Sequence, residues 1–430
     1  MKSMRDALVR IVHPYKLLYT IKFQQPEYSL LDQEYIEEEH VIEKHDISTA
    51  PLITRDAYVS GGYPDAASQY GVIGRILSTQ GWQITHGLCY VGEYAYPSLP
   101  VNSEAAWLAV PNNPNIARPE VHVYVSRSFL KTMRAVYEPL GSHVIVQPLI
   151  FSESELDAQA FLSMMAVGSS DSAPLYMQIV LTILRELGEN YTYQTFVKEL
   201  ERRKEKFNPA QLAGLEQRMS LLTSFTAKDT KPAPGRGSRF SAGRLTIIDL
   251  SDPFIDPVSA CGLFEIMTRL FIRADLDTGK FLLVDEAHKY LSASKSSGLT
   301  NALLALTRQQ RHLSMRVIIS TQEPTVVPPV LLDLCTVFVL HRFSSPSWWE
   351  HLIKHVSADF TASDAFDKVV RLQTGQAIVL APSALGVFNT SEASESGNRL
   401  LSRFGRRYLI MKTRKRVTKD GGASVLVLGG

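Results

Sequence analysis

Two short runs of apolar residues, each ending in polar side chains, organise the middle of this chain. Phe281, Leu282, Leu283 and Val284 lead directly into Asp285 and Glu286. Such a run suits a strand buried on both faces with charge at its carboxyl end, which is where parallel α/β sheets place their chemistry. A second run, Met315 to Ser320, ends in Thr321 and Gln322 and reads as the adjacent strand with a polar tip. Between them, Asn301 to His312 has helical spacing in Leu303, Leu304 and Leu306 and carries Arg308 and Arg311 one turn apart.

The same alternation of strand and helix patterns extends to both sides. Val121 to Val125 and His143 to Phe151 are rich in β-branched residues, and the helical pattern of Ser128 to Tyr137 between them completes a βαβ unit. From Glu153 to about Thr226 the spacing turns helical. Four candidate helices follow there, SELDAQAFLSMMAV, APLYMQIVLTILRELG, TYQTFVKELERRKEKF and QLAGLEQRMSLLTSF, with Pro174, Asn190 and Pro209 at their starts or joins. Met164, Met165 and Met177 in this stretch read as core packing. Leu245 to Asp249 is a further strand, Ala260 to Ile272 an amphipathic helix, Thr336 to Phe343 a strand, and Pro346 to Val356 a helix carrying Trp348 and Trp349. Gln376 to Ala381 and Arg407 to Lys412 close the sheet. The whole is an α/β chain with a helical insertion over residues 152–227.

The polar tips carry the chemistry. One of two adjacent carboxylates can hold Mg²⁺ through water, while its neighbour on the other side of the pleat polarises an attacking water. An amide on the next strand can hydrogen-bond a terminal phosphate, and a guanidinium fork suits phosphate oxygens. A carboxylate–metal enzyme without nucleotide would need further His or Asp ligands, and none stands at a suitable spacing. His288, two residues after Glu286, reads as a structural histidine. At Asp249, Ser251 and Asp252, helix or turn capping competes with a catalytic role.

These residues together resemble the HerA and FtsK group of P-loop ATPases. The resemblance rests on Asp285 and Glu286 as the Walker B pair, on Gln322 as the polar sensor and on Arg311 at the position of a trans-acting arginine finger, with Arg308 as the alternate. It extends more weakly from about Arg244 to Gly422, through LTIIDLSDPF and RRYLIMKTRKRVTKDGG. The resemblance implies a RecA-like core with a largely parallel sheet over residues 76–430, preceded by an N-terminal segment (1–75) left from a small β domain. It also implies ATP and Mg²⁺ as cofactors, a homo-oligomeric ring (a hexamer), and DNA as the polymer moved by a translocase or helicase-type motor.

That family requires a strand, a GxxxxGK[ST] loop and a helix to cradle the phosphates. The chain has no such loop. Lys2, Lys131, Lys295 and Lys412 are the lysines followed by a hydroxyl residue, none of them after a glycine-framed loop, and Gly279-Lys280 reads as a turn. Residues 75–120, where the loop belongs, are dense in Gly, Pro and Asn. A non-hydrolysing regulatory subunit is therefore the alternative to a motor.

Composition narrows the setting. A chain of 430 residues with 45% hydrophobic content can build a substantial core, and a net charge of +2 provides no global field for nucleic acid. Contact with a polymer would have to come from local patches such as the basic linker 228–244, Lys295 in the loop after the acids, or the tail Arg399 to Lys419, which holds nine Lys or Arg and no acid. The tail reads equally well as a solvated edge strand. Three scattered cysteines make no ligand spacing and suit a reducing compartment. Arg10, His13 and Pro14 interrupt the first apolar stretch, no run reaches membrane-spanning length, and a cytoplasmic or nuclear location is expected. The acidic stretch from Glu34 to Glu43 reads as a solvated face.

A missing coding segment near residues 78–102, lost through gene annotation, splicing or evolution, would account for the absent loop. Genomic DNA across that junction is expected to hold codons for a glycine-framed loop ending in Lys-Ser or Lys-Thr. Their absence eliminates the annotation and splicing explanations.

Overall fold

The computed structural model describes residues 120–165, 176–226, 239–276, 278–292, 297–356, 362–389 and 399–413, with the short pieces 52–54, 74–79 and 88–89 and the single residues 50 and 57. The expected N-terminal β domain, the region of the absent loop, most of the basic linker, Lys295 and the tail beyond Thr413 therefore lie largely or wholly outside the described residues. The strands are β1 (Gly74–Thr79), β2 (Leu88–Cys89), β3 (Val121–Val125), β4 (Val144–Pro148), β5 (Leu245–Asp249), β6 (Lys280–Val284), β7 (Met315–Ile319), β8 (Phe338–Leu340), β9 (Gln376–Leu380), β10 (Leu385–Asn389), β11 (Arg399–Arg403) and β12 (Tyr408–Thr413). The helices used below are α1 (Leu130–Tyr137), α2 (Ala158–Met165), α3 (Tyr176–Leu187), α4 (Tyr193–Arg202), α5 (Pro209–Ser224), α6 (Pro257–Arg273) and α7 (Gly298–Gln309).

The chain divides into two compact units, with the described residues from Glu120 to Leu334 in one and β1, β2 and everything from Cys335 to β12 in the other. The first unit is α/β and its strands are parallel. β3 lies between β4 and β5 in a three-stranded sheet, and β6 pairs with β7. Each parallel pairing needs a crossover: α1 links β3 to β4, the helical insertion carries the chain from β4 to β5 on the other side of β3, and α7 links β6 to β7, while α6 connects β5 to β6, which are not paired with each other.

Side-chain alternation on β3 explains how that sheet is covered. Val121, Val123 and Val125 pack with Met133 of α1 and with Val144, Val146 and Ile247, while Tyr124 faces the helical insertion. All four helices expected in the insertion form, as α2 to α5. Phe161, Phe196, Leu215, Phe225 and the α6 residues Leu263 and Ile266 build one core with Phe151. Met164 and Met177 are buried in it, as a packing role requires, and the Met165 side chain lies outside the described set. Thr192 starts α4 by accepting the Thr195 amide, and Asp256 starts α6 by accepting the amides of Val258 and Ser259.

Two polar contacts set the height of β6 against the helices. The buried Lys280 ammonium donates to the carbonyls of Phe271, Ile272 and Ala274 and so closes the carboxyl end of α6. Its burial pushes the ammonium pKa down, with Asp275 opposing. Where α7 meets α6, Gly298 leaves room for the Glu265 carboxylate, which is buried and paired with Arg269 at 2.7 Å. A β-carbon at Gly298 would stand 1.9 Å from Glu265 Oε2.

One face of the β6–β7 pair is uncovered among the described residues. Leu283 and Ile318 are register partners and are 60% and 47% exposed. Buried parallel strands normally carry helices on both faces.

The second unit is antiparallel: the strands expected to close the parallel sheet, at Thr336 to Phe343, Gln376 to Ala381 and Arg407 to Lys412, form a sheet of their own instead. Its sheet runs β2-β1-β12-β9-β8, with β10 and β11 as a separate hairpin. The basic tail begins in β11, one strand of the two-stranded hairpin and so an edge among the described residues, whereas its next part, β12, is flanked on both sides and is an interior strand. Trp349 is buried, and its ring lies 6.2 Å from that of Phe366, which agrees with packing rather than base stacking. No helix among the described residues is long and apolar enough to cross a membrane.

Gly298→Ala is expected to destabilise the first unit by about 1–3 kcal/mol, because the added methyl must displace a paired, buried carboxylate. A denaturant titration that leaves the unfolding midpoint unchanged would show that Glu265 moves aside at little cost.

Candidate functional site

The site begins with the register of β6 on β7, in which Lys280 faces Met315 and Val284 faces Ile319. Two further bonds carry this pairing past the strand ends. The Ser320 amide donates to the Val284 carbonyl at 2.9 Å, and the Ala287 amide donates to the Ser320 carbonyl at 2.9 Å. Asp285, Glu286, Thr321 and Gln322 consequently emerge together at the carboxyl end of the pair.

The backbone reverses there through an unusual residue. Glu286 has φ 51° and ψ 40°, the left-handed region, where a side chain with a β-carbon costs on the order of 1–2 kcal/mol. Local bonds hold it: its amide donates to Asp285 Oδ1 at 3.0 Å, and its carbonyl accepts from the Lys289 amide at 2.9 Å, which starts a single 3-10 turn. Strain of this kind concentrates at functional sites, where the surroundings enforce it.

The Glu286 carboxylate is held from both sides. Gln322 Nε2 donates to Oε1 at 2.8 Å, while Lys289 Nζ stands 3.4 Å and His288 Nε2 3.6 Å from Oε2. The Gln322 amide is the largest influence on its acidity. Together with the Lys289 and His288 charges it holds the carboxyl below the usual value, against a smaller opposing effect of burial. Glu286 is therefore ionised through the neutral range. The shift also makes it a weaker base, so the carboxylate is suited to orienting a bound group by fixed negative charge more than to taking up a proton.

Asp285 is exposed beside it. Among the described residues no group of three or more His, Cys, Asp or Glu is placed to hold a metal ion. Mg²⁺ fits such a place only in the way it commonly binds, through one carboxylate with waters and substrate phosphates completing its shell. Asp285 would be that carboxylate.

Arg308 and Arg311 are both exposed, and they lie at the other end of the strands. α7 stops at Gln309, and Arg311 sits in the turn that leads into Met315 at the amino end of β7. A five-residue strand, about 16 Å, separates that end from Gln322. The sequence-predicted set is thus split, with Asp285, Glu286 and Gln322 together and the two arginines remote from them in the same chain.

His288, read from the sequence as structural, brings its ring to Glu286 and, at 3.5 Å, accepts the Gln322 backbone amide on Nδ1. Lys289 was missed, although its spacing of three from Glu286 signals a local ion pair. Asp249, Ser251 and Asp252 are structural. Asp249 accepts from Tyr137 and from the Ser251 amide, and the buried Asp252 accepts from Ser126 at 2.5 Å.

No family model matches the chain, and no curated protein does. Among solved structures it is similar to the genome packaging NTPase B204 from Sulfolobus turreted icosahedral virus 2 in complex with ATP-gammaS, at 14% identity over 39% of this chain and 70% of that one, with a TM-score of 0.26. It is similar to VirB4 of Thermoanaerobacter pseudethanolicus, at 13% identity over 64% and 82% of the two chains and a TM-score of 0.39. A third likeness is to B204, the DNA-packaging ATPase from Sulfolobus Turreted Icosahedral Virus, at 11% identity over 67% and 98% and a TM-score of 0.26. Function is therefore read from the site itself.

Two measurements check the geometry. Glu286→Gly is expected to stabilise the chain by about 1 kcal/mol by relieving the left-handed backbone, and an unchanged or lowered unfolding midpoint would count against the strain. In Gln322→Leu the Glu286 carboxyl is expected to titrate at higher pH than in the unaltered chain, because the amide that favours the ionised form is gone. Carboxyl-carbon NMR across the acid range reads this directly.

Proposed function

We propose that this chain is a subunit of a HerA/FtsK-like ring ATPase that drives the movement of nucleic acid. The observation that carries the reading is the 2.8 Å bond from Gln322 to Glu286 across the tips of adjacent parallel strands, with Asp285 alongside. In this reading Glu286 aligns the attacking water, Asp285 supports Mg²⁺, and Gln322 is displaced from Glu286 onto the terminal phosphate of bound ATP.

The remote arginines support a ring. Neither Arg308 nor Arg311 lies at the acid end of its own chain, and an exposed guanidinium at the far end of the strands is available to a neighbour's nucleotide. A finger supplied in this way accelerates phosphoryl transfer by on the order of 10³ to 10⁵.

The missing glycine-framed loop favours a second reading, a non-hydrolysing subunit that contributes Arg311 to a catalytic partner. ATP binding by the purified chain separates the two. Saturable binding at micromolar concentration supports the motor, and its absence assigns the chain to the supporting role.

Where hydrolysis is present, Glu286→Gln is expected to abolish it and Arg311→Ala to reduce it by at least a hundredfold. Mixing the two variants is expected to restore turnover, since an intact Arg311 then meets an intact Glu286 at some subunit boundaries. Mixtures as inactive as either variant alone would refute a finger acting between chains.

A further inference from the structure

A cleft of about 780 Å³ opens at the carboxyl ends of β3 and β5 and involves none of the residues discussed above as catalytic. Its position follows from topology. From β3 the chain moves to β4 on one side through α1, then returns to β5 on the other side, so the β3–β5 boundary is where the strand order reverses. Open parallel sheets bind ligands at such points because the flanking loops diverge there.

Two features of the lining are unusual. The Phe254 ring is 85% exposed, and the loop that carries it is pinned rather than slack. Asp252 Oδ1 accepts the Phe254 amide at 2.9 Å, while Oδ2 accepts hydroxyls from Ser126 and Ser128 on the β3 side. On the far side of the loop, Asp256 accepts the amides of Val258 and Ser259 at 3.1 and 3.0 Å. A bare aromatic ring on a fixed loop is presented to solvent and forgoes the burial that would stabilise it. The second feature is a pair of guanidiniums. Arg127 donates to the Thr226 carbonyl at 3.3 Å and Arg218 to the Ser259 hydroxyl at 3.1 Å, each a single bond from a group with five donors. The two cleft carboxylates, Asp252 and Asp256, accept from amides and hydroxyls of the protein itself, and Asp256 also lies within electrostatic reach of Arg218.

A flat ring beside guanidinium forks on an open polar surface matches a nucleobase and its phosphate. We propose that this cleft holds a single strand of nucleic acid, with a base stacked on Phe254 and the backbone phosphates on Arg127 and Arg218. A mononucleotide fits less well, because small-ligand sites bury most of their ligand, whereas Phe254 stands almost fully in water. A strand laid across the surface needs only a stacking platform and a track of charge. The site extends the proposed function by naming where the polymer is gripped, but does not require that hydrolysis occur.

The test is fluorescence anisotropy with a labelled twenty-nucleotide oligodeoxythymidylate and the full chain without ATP, at several salt concentrations, alongside a fluorescent AMP analogue. Phe254→Ala is expected to weaken strand binding by about 5- to 150-fold, the range for removing one stacked base. Arg127→Ala is expected to weaken it and to reduce the slope of log K against log salt by about 0.7, the loss of one phosphate contact on a single strand. Both residues are exposed, so both variants should fold. Strand affinities within twofold of the unaltered chain with an unchanged slope, no strand binding at low salt, or binding of the AMP analogue alone would each overturn the proposal. Strand binding that survives while ATP binding is absent would leave the cleft intact and remove only the motor reading.

Discussion

The parallel register between β6 and β7 is the constraint on which the site depends. It brings Val284 level with Ile319, and the two hydrogen bonds beyond the strand ends keep the tips together through the first turn of each loop. Slippage by one residue would turn Gln322 away from Glu286 and exchange the buried and uncovered faces. The register is in turn locked from behind. Lys280 ties the start of β6 to the end of α6, and the close approach at Gly298 seats α7 against the same helix. Core packing and site geometry are therefore one problem here, solved by the same few contacts.

Much of this was legible in the sequence because the signals are short-ranged. An apolar run with acids at its tip, a helix of the right length and a second run with an amide at its tip define a crossover whose handedness and polarity leave little freedom. The four insertion helices were readable for the same reason, from spacing and from the starts or joins marked by Asn190 and Pro209. What escaped was conformation and distance. Glutamate rarely occupies the left-handed region, so nothing in the letters Asp-Glu-Ala-His-Lys announces that Glu286 does. Ser126 and Asp252 meet across more than half the first unit, and β1 pairs with β12 across most of the chain. No local pattern encodes partners so remote.

Acidic residues in this chain are used mostly as mechanical parts. Asp249, Asp252 and Asp256 take amides and hydroxyls along one short loop, Glu265 is matched by Arg269, and Glu155 by Arg239. Burial opposes ionisation at Asp252, but its hydroxyl and amide donors outweigh it and hold the carboxyl below the ordinary range. Glu286 differs because its partners include a side-chain amide on an adjacent strand, Gln322. A near-neutral overall charge is thus compatible with two local places where charge is specifically arranged.

The separation of Asp285 and Glu286 from Arg311 also has an arithmetic side. In the proposed ring, each molecule would offer half of a reaction centre at one pole and half of another at the opposite pole, so completed centres would be counted by junctions and not by molecules. An open row of n copies has n − 1 of them, whereas closing the row adds the last. Turnover per copy would then climb with concentration until the circle forms and stay level thereafter.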